Sequence, residues 1–318
     1  MTESEVLLQQ LITGLSNGMI IALLALGYTM VYGIIELINF AHGDLFMLGA
    51  FLTLTVVGLM GWHTNPEEAG LLLLLLLFVT AAGFCAVLNY LVDRLAYKPL
   101  RNAPRLSPLV SAIGVSFIFL NLGLFWGGLP LGVFNFGKAA SAPKDFPALV
   151  SAHNLLGDHP IQFTSKELLV LSVTLPLLLV FTLFVKYSRT GKAMRAVAQN
   201  PTAAKLMGID VERIIGFTFI LGGALGGVAS VVYAMYNNTI FFQMGFRVGI
   251  DAFTAAVLGG IGNLPGAMLG GVLIGLVRAM SDQYIATEWT NVVVFSILII
   301  VLVFRPSGLL GAKLREKV

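Results

Sequence analysis

The fold this sequence predicts is an all-α, polytopic transmembrane helical bundle, and three observations predict it. Hydrophobic residues fill 57% of the 318 positions and charged residues only 11%, against roughly 25% charged in ordinary soluble domains. The apolar residues gather in runs close to the ~20 residues that a spanning helix needs. The basic residues fall mainly in three clusters between or after those runs. With 19 basic and 16 acidic residues, a soluble chain of this length would expose large apolar patches. Disorder, a disulfide scaffold and nucleic-acid binding are excluded by the same composition. Cys85 is the single cysteine, and the net charge is only +3.

Taken in order, the runs predict full spans at about 7–34, 45–61, 70–92, 107–126, 167–185, 214–235 and 290–304. The first opens with Glu3 and Glu5, acid where a cleavable signal peptide carries base, and its apolar stretch is too long for one. An eighth apolar stretch, about 250–280, is interrupted by Gly259-Gly260-Ile261-Gly262-Asn263-Leu264-Pro265-Gly266. Such a break at membrane depth is tolerated where backbone is buried in protein or lines a wet cavity, and broken helices often mark a transport path. The stretch therefore reads as a broken or re-entrant helix that returns to its own side or crosses twice, or else as a kinked packing helix. Gly259, Gly260, Gly262 and Asn263 are candidate pathway or gate residues on the first reading. The whole chain, 1–318, reads as one membrane domain with a long loop at 127–166.

Lys and Arg in short loops set orientation. Arg94, Lys98, Arg101 and Arg105 form one cluster, and Lys186, Arg189, Lys192, Arg195, Lys205 and Arg213 a second. Arg305, Lys313, Arg315 and Lys317 form the third, at the C-terminus. All three read as cytoplasmic. Glu67, Glu68, the 127–166 loop and the N-terminus then lie outside, and the C-terminus inside.

Small residues recur at four-residue spacing: Gly222, Gly226 and Ser230; Gly223 and Gly227; Ala267, Gly271 and Gly275; Gly266 and Gly270. Such stripes let helices approach closely in lipid, either within the chain or at a subunit seam. Few polar groups interrupt the spans. Glu36 to Asp44 joins the first two and carries Asn39, His42 and Asp44. Asp44 reads as an N-cap for the second span and Asn39 as a turn residue; alternatively Asn39 and His42 face a solvated route or a partner, and with Asp44 they are candidate pathway or gate residues. A His-x-Asp pair alone does not make a metal site. Tyr28 and Tyr32 read as packing aromatics, with a gate role for Tyr28 as the other reading. Arg278 is expected to pair with Asp282, and Asp251 to cap the outer end of the broken segment. No mid-span carboxylate for a proton relay is expected, no catalytic constellation stands out, and no cofactor is implied. Gly191-Lys192-Ala193 lacks the rest of a phosphate-binding loop, so energy for uphill transport would have to come from elsewhere.

The 187–212 segment is the most informative. Asn200-Pro201-Thr202-Ala203-Ala204-Lys205-Leu206-Met207-Gly208 has its own start and stop: Asn200 caps, Pro201 suits the first helical position, and Gly208 suits a left-handed end. So short a helix is unstable alone. Ala203, Leu206 and Met207 share a face, for docking into a soluble partner or for lying on anionic headgroups.

These residues also carry a resemblance. Tyr28-Thr29-Met30-Val31-Tyr32-Gly33 with Ile38-Asn39-Phe40-Ala41-His42-Gly43-Asp44, then Arg195-Ala196-Val197-Ala198-Gln199-Asn200-Pro201 with Ala203 to Ile209, then Phe253 to Gly262 with Pro265-Gly266-Ala267, resemble the permease subunits of bacterial ABC importers for branched-chain amino acids, in particular the H-type of the two. Glu36 departs from the family pattern, which carries a small or apolar residue there. The resemblance implies an inner-membrane permease working with a second homologous permease, two cytoplasmic ATPase subunits and a periplasmic solute-binding protein. It also implies that 200–208, with Arg195, is a coupling helix that receives ATPase motion. Relatives of this group also handle urea, short amides and, more distantly, sugars. A secondary carrier is the remote alternative.

Overall fold

The acidic opening of the chain is a helix start. Thr2 caps α1 (Glu3–Ile35), and the Glu5 carboxylate accepts from the Thr2 N–H at 2.6 Å, a reciprocal box that satisfies donors left over at a helix end. The structure, a computed structural model, describes residues 2–62, 70–101, 103–104, 106–305 and 307–311. Glu67, Glu68, Arg105, Lys313, Arg315 and Lys317, assigned above to loops and tail, lie outside the described residues.

At 33 residues, α1 is about 50 Å long, longer than a hydrocarbon core of ~30 Å. It is buried along most of its length and forms the centre of the bundle. Glu36 ends it in the left-handed conformation, with φ 54°. The next helix, α2 (Ala41–Leu59), starts inside the bundle rather than at its edge. His42 sits beside Gly27 and Tyr28, about two turns back from the end of α1. Next come α3 (Leu71–Val92), which runs on through a π turn (Asp93–Tyr97) and a 3-10 turn (Lys98–Leu100), and α4 (Leu106–Gly127). After the long loop follow α5 (Ser165–Tyr187), α6 (Arg189–Gln199), α7 (Pro201–Leu206), α8 (Val211–Asn237), α9 (Met244–Gly259), α10 (Leu264–Tyr284) and α11 (Thr290–Phe304). Among the described residues seven helices are long and apolar enough to cross a bilayer: α1, α2, α3 with its continuation, α4, α5, α8 and α10. The 290–304 run, counted above as a full span, is the 15-residue α11. The seventh helix of spanning length is instead the second half of the broken segment.

That segment is not one kinked helix. Gly260 and Gly262 take φ of 107° and 83°, backbone that a side chain resists, and the chain reverses there. Asn263 then caps α10 by accepting from the Gly266 N–H at 3.0 Å, with Pro265 in the first turn, where its missing N–H leaves no helix hydrogen bond unmade. The two helices run antiparallel. Gly259 packs on Gly266, and Gly270 on the Ala255 carbonyl. Residues 307–311 close over the turn: the Leu309 and Leu310 N–H groups donate to the Leu258 and Gly259 carbonyls at 2.8 and 3.0 Å.

The small-residue stripes pack within the chain. Gly271 and Gly275 meet Ala22 and Gly18 of α1, while Gly223 and Gly227 meet Cys85 and Ala81 of α3. Both contacts are antiparallel, and each lets backbones touch where lipid gives no hydrophobic drive.

The bundle has two distinct ends. One holds Arg94, Lys98, Arg101, the α6–α7 pair and the 260–263 turn, and is called the basic end here. At the other, the 127–166 loop folds down. β1 (Lys144–Asp145) pairs antiparallel with β2 (Thr239–Ile240) just after α8. Lys166 donates to Asn238, whose amide donates to the Phe146 carbonyl at 3.2 Å. Phe134 of the loop is buried and stacks on Phe51 at 6.0 Å.

Three expectations about charge are corrected. Arg278 does not pair with Asp282: it holds Asp251 at 2.8 Å and also donates to Asn291 at 2.8 Å. Asp282 accepts from Thr290 instead. Asp251 is no cap, because α9 begins at Met244 and the carboxylate lies midway along it, buried. A helix interior therefore does hold a carboxylate, and the hairpin brings it to its arginine.

Candidate functional site

The predicted residues separate into two regions. The first is a groove of about 930 Å³ on the flank of α2, α4, α9 and α11, with Tyr28, Asp44, Ser116, Gln243, Arg247 and Phe253 among its lining. Its remaining walls are largely apolar, with Ile113, Phe117, Leu120 and Leu298. The groove exists because α9 starts deep in the bundle. Residues 241–243 carry the chain inward from β2, and a Cβ on Gly245 would lie 2.7 Å from the Asp44 Cα. Only the absence of a side chain at Gly245 lets α9 approach the start of α2 so closely.

Asp44 is not the N-cap predicted for this helix. α2 begins at Ala41, so Asp44 falls in its first turn and reaches across to α4, where the Ser116 hydroxyl donates to Oδ2. The other oxygen, Oδ1, is buried and accepts no hydrogen bond among the described residues. Tyr28, buried on α1, lies edge-on to His42 with ring centroids 4.7 Å apart and faces Phe253 at 6.4 Å. His42 is buried behind Tyr28 and does not line the groove.

Asn39, 2% exposed, lies deeper still. Its amide donates to Asn89 Oδ1 at 3.1 Å, and its carbonyl oxygen accepts from the Tyr97 hydroxyl at 3.3 Å. Asn89 donates in turn to the Phe219 carbonyl at 2.7 Å. This chain of amides ties the α1–α2 link to α3 and α8. The sequence reading passed over Asn89, Tyr97 and Ser116. An amide in the apolar run 70–92 and a hydroxyl in 107–126 were the available signals, since polar side chains in lipid usually bond across helices.

The second region is the basic end. The α7 helix is capped as its sequence predicts: Asn200 Oδ1 accepts from the Ala203 N–H at 3.0 Å, Pro201 opens the helix, and Gly208 follows it with φ 81°. Ala204 faces inward and is buried, whereas Ala203 is exposed and Leu206 and Met207 are each 83% exposed. Arg195 of α6 donates to the Lys186 carbonyl at 3.0 Å. With Gly33, Ala198 and Gly262, Arg195 lines a small cleft between α6 and the 260–263 turn. Gly259, Gly260, Gly262 and Asn263 thus belong to this end, under residues 307–311, and not to the groove. Beside them Arg101 bridges Asp93 and Glu212, each at 2.5 Å, and Lys98 reaches Glu212 at 3.3 Å, fixing the α3–α4 link to the start of α8.

Residues 10–302 match the family described as the permease component of branched-chain amino acid transport systems. The chain is 40% identical over 317 residues to the high-affinity branched-chain amino acid transport system permease protein BraD of Pseudomonas aeruginosa, covering 98% of both chains. It is 39% identical over 319 residues to the corresponding LivH protein of Escherichia coli, covering 98% of this chain and 97% of the relative. A probable LivH permease of Methanocaldococcus jannaschii is 31% identical over 303 residues, with 92% and 89% covered. No solved structure matches the chain.

Proposed function

Because the chain belongs to the family of branched-chain amino acid transport system permease components, we propose that it lines one side of the pathway of an ATP-driven importer for branched-chain amino acids. It is a non-catalytic subunit of a bacterial inner membrane. A second, homologous permease faces it across the groove of Tyr28 and Asp44, two cytoplasmic ATPase subunits supply the energy, and a periplasmic binding protein delivers the solute. The basic end is cytoplasmic, by the excess of Lys and Arg in short loops, so the N-terminus and the 127–166 loop lie outside and the C-terminus inside.

One observation carries the reading: a capped helix at the basic end turns its apolar side chains away from the protein. Leu206 and Met207 are 83% exposed while Ala204 anchors the same helix. A helix this short persists only when held, and an apolar pair displayed on a fixed helix suits a groove on an ATPase subunit. Asn200, Pro201, Ala203 and Gly208 shape the helix, and Arg195 stands between it and the turn at Gly260–Asn263. Motion delivered to α7 passes through α6 to that turn and to α8.

The test exchanges the two exposed side chains in the complete importer. Leu206→Glu with Met207→Glu keeps every internal contact of α7, so membrane insertion and association with the second permease are expected to persist. Co-purification of the ATPase subunits and leucine uptake are expected to be lost. Normal uptake by this variant would overturn the coupling assignment. In cells, deletion of the gene should abolish uptake of leucine, isoleucine and valine and leave urea uptake intact.

A further inference from the structure

Away from the basic end, a second cavity of about 290 Å³ opens between α1, α8, α9 and α10. It extends from Gln10 to Ile21, about 16 Å along α1. Unlike the groove it is polar. Thr13 and Asn17 of α1 line it with Tyr233 and Asn237 of α8, and so do four charged side chains. These four form two rungs across the α9–α10 hairpin. The inner rung is closed: Asp251 of α9 and Arg278 of α10 pair at 2.8 Å, and their side chains keep 7% and 14% of their surface accessible. Four residues along each helix, and so on the same face, stand Arg247 and Asp282 with the signs reversed. Because the helices are antiparallel, both lie one turn further out. This outer rung is open. Neither residue has an opposite charge within ion-pair distance among the described residues, and both are exposed. The cavity therefore offers one free cation and one free anion, on facing helices, beside the apolar Ile20, Ile21, Val248 and Ala279.

Two free charges of opposite sign select by balance. A simple anion drawn to Arg247 is repelled by Asp282, and a simple cation drawn to Asp282 is repelled by Arg247. A zwitterion meets both, with a charge-assisted hydrogen bond at each end. We propose that this cavity binds the head of a small aliphatic α-amino acid. Arg247 donates to the solute's carboxylate, Asp282 accepts from its ammonium, and the aliphatic side chain lies toward Ile20 and Ile21. The volume is near the lower end of the ~300–1,000 Å³ usual for small-molecule sites, which suits a solute of this size. Arg247 also lines the groove, so the bound carboxylate sits where cavity and groove join. The inference rests on the transport reading above for its choice of an aliphatic amino acid, and adds to it a site that requires both charges of the solute.

The experiment uses the complete importer in nanodiscs without ATP, and three probes that share one branched tail: leucine, isoamylamine, which lacks the carboxylate, and isocaproate, which lacks the amine. Saturation-transfer NMR should show leucine bound in preference to both. Asp282→Asn, at a residue that lines the cavity and not the groove, should weaken leucine binding about tenfold, the loss typical of one charge-assisted hydrogen bond, and leave isocaproate bound no more weakly. Arg247→Gln should weaken leucine by a similar factor and leave isoamylamine bound no more weakly. A merely structural lesion would weaken every probe alike. Thr13→Cys gives a reading that changes no charge. Cys85 is buried, so in this chain a small thiol reagent reports on the cavity, and saturating leucine should protect the new thiol. Equal leucine binding by wild type and Asp282→Asn, a wild type that prefers either singly charged probe, or labelling of Thr13→Cys at one rate with and without leucine would overturn the proposal. If the charge variants fail to assemble, the three probes on wild type and the thiol protection still decide. Leucine uptake by an importer that shows no such protection would overturn the site and leave the transport reading standing. A protected cavity in an importer that takes up no branched-chain amino acid would do the reverse.

Discussion

The seam between α1 and α10 permits a sharp quantitative prediction. A Cβ placed on Gly271 would lie 2.5 Å from the Ala22 nitrogen and 2.6 Å from its Cβ, where carbon contacts are comfortable at about 3.5–4.0 Å. The neighbours are mostly backbone, so no rotamer change relieves the clash, and α10 must withdraw from α1 by roughly 1 Å. Overpacking of this kind costs about 1–3 kcal/mol, and a rigid neighbour places Gly271→Ala near the top of that range. Alanine is the better helix former by ~1 kcal/mol, which leaves a net destabilisation of about 2 kcal/mol. Gly114 is the control, because it lies within α4 with nothing inside 4 Å of its Cβ position. Gly114→Ala should therefore show the propensity gain alone, up to ~1 kcal/mol of stabilisation. At about 2–4 °C per kcal/mol, thermal unfolding followed by fluorescence-detected size exclusion should show a fall of roughly 4–8 °C for Gly271→Ala and a rise of a few degrees for Gly114→Ala. Two shifts of the same sign would refute the backbone-contact account of the seam.

Two further outcomes follow from buried contacts. Arg278→Ala strands the Asp251 carboxylate and should cost about 3–5 kcal/mol, whereas Arg278→Met combined with Asp251→Leu should recover most of that loss; a thermal double-mutant cycle reads the coupling, and additive losses would refute it. Gly260→Ala places a side chain at φ 107° and 2.7 Å from the Gly311 Cα. It should release residues 307–311 from the turn, seen as faster amide exchange at Leu309 and Leu310 while α10 stays protected.

The sequence was most legible where the chemistry is local. The Asn200 cap, the Gly208 stop and the Gly/Pro break after residue 258 each depend on residues a few positions apart, and each appears where its neighbours predict it. The polar pairs were not legible in the same way. Arg278 has Asp282 one turn away, yet the hairpin sets Asp251 against it, and the register of a reversal cannot be read from spacing along one helix. Asp44 stands before an apolar run, as a cap would, but the helix had already started at Ala41 because the α1–α2 link tucks inward. The amide chain from Asn39 through Asn89 depends on three helices meeting, which no single run reports. Both misjudged aspartates proved to be buried, one paired with an arginine and the other bonded to a serine of α4.

The strand pair formed by β1 and β2 has a mechanical consequence. Only three residues separate β2 from the start of α9, and the Lys166–Asn238 and Asn238–Phe146 contacts pin the same spot from the other side. The 127–166 loop and the root of α9 are thus one stiff piece. A protein that settles on the loop and tilts it would work this piece as a lever, its long arm in the loop and its short arm ending at Gly245, against the first turn that carries Asp44.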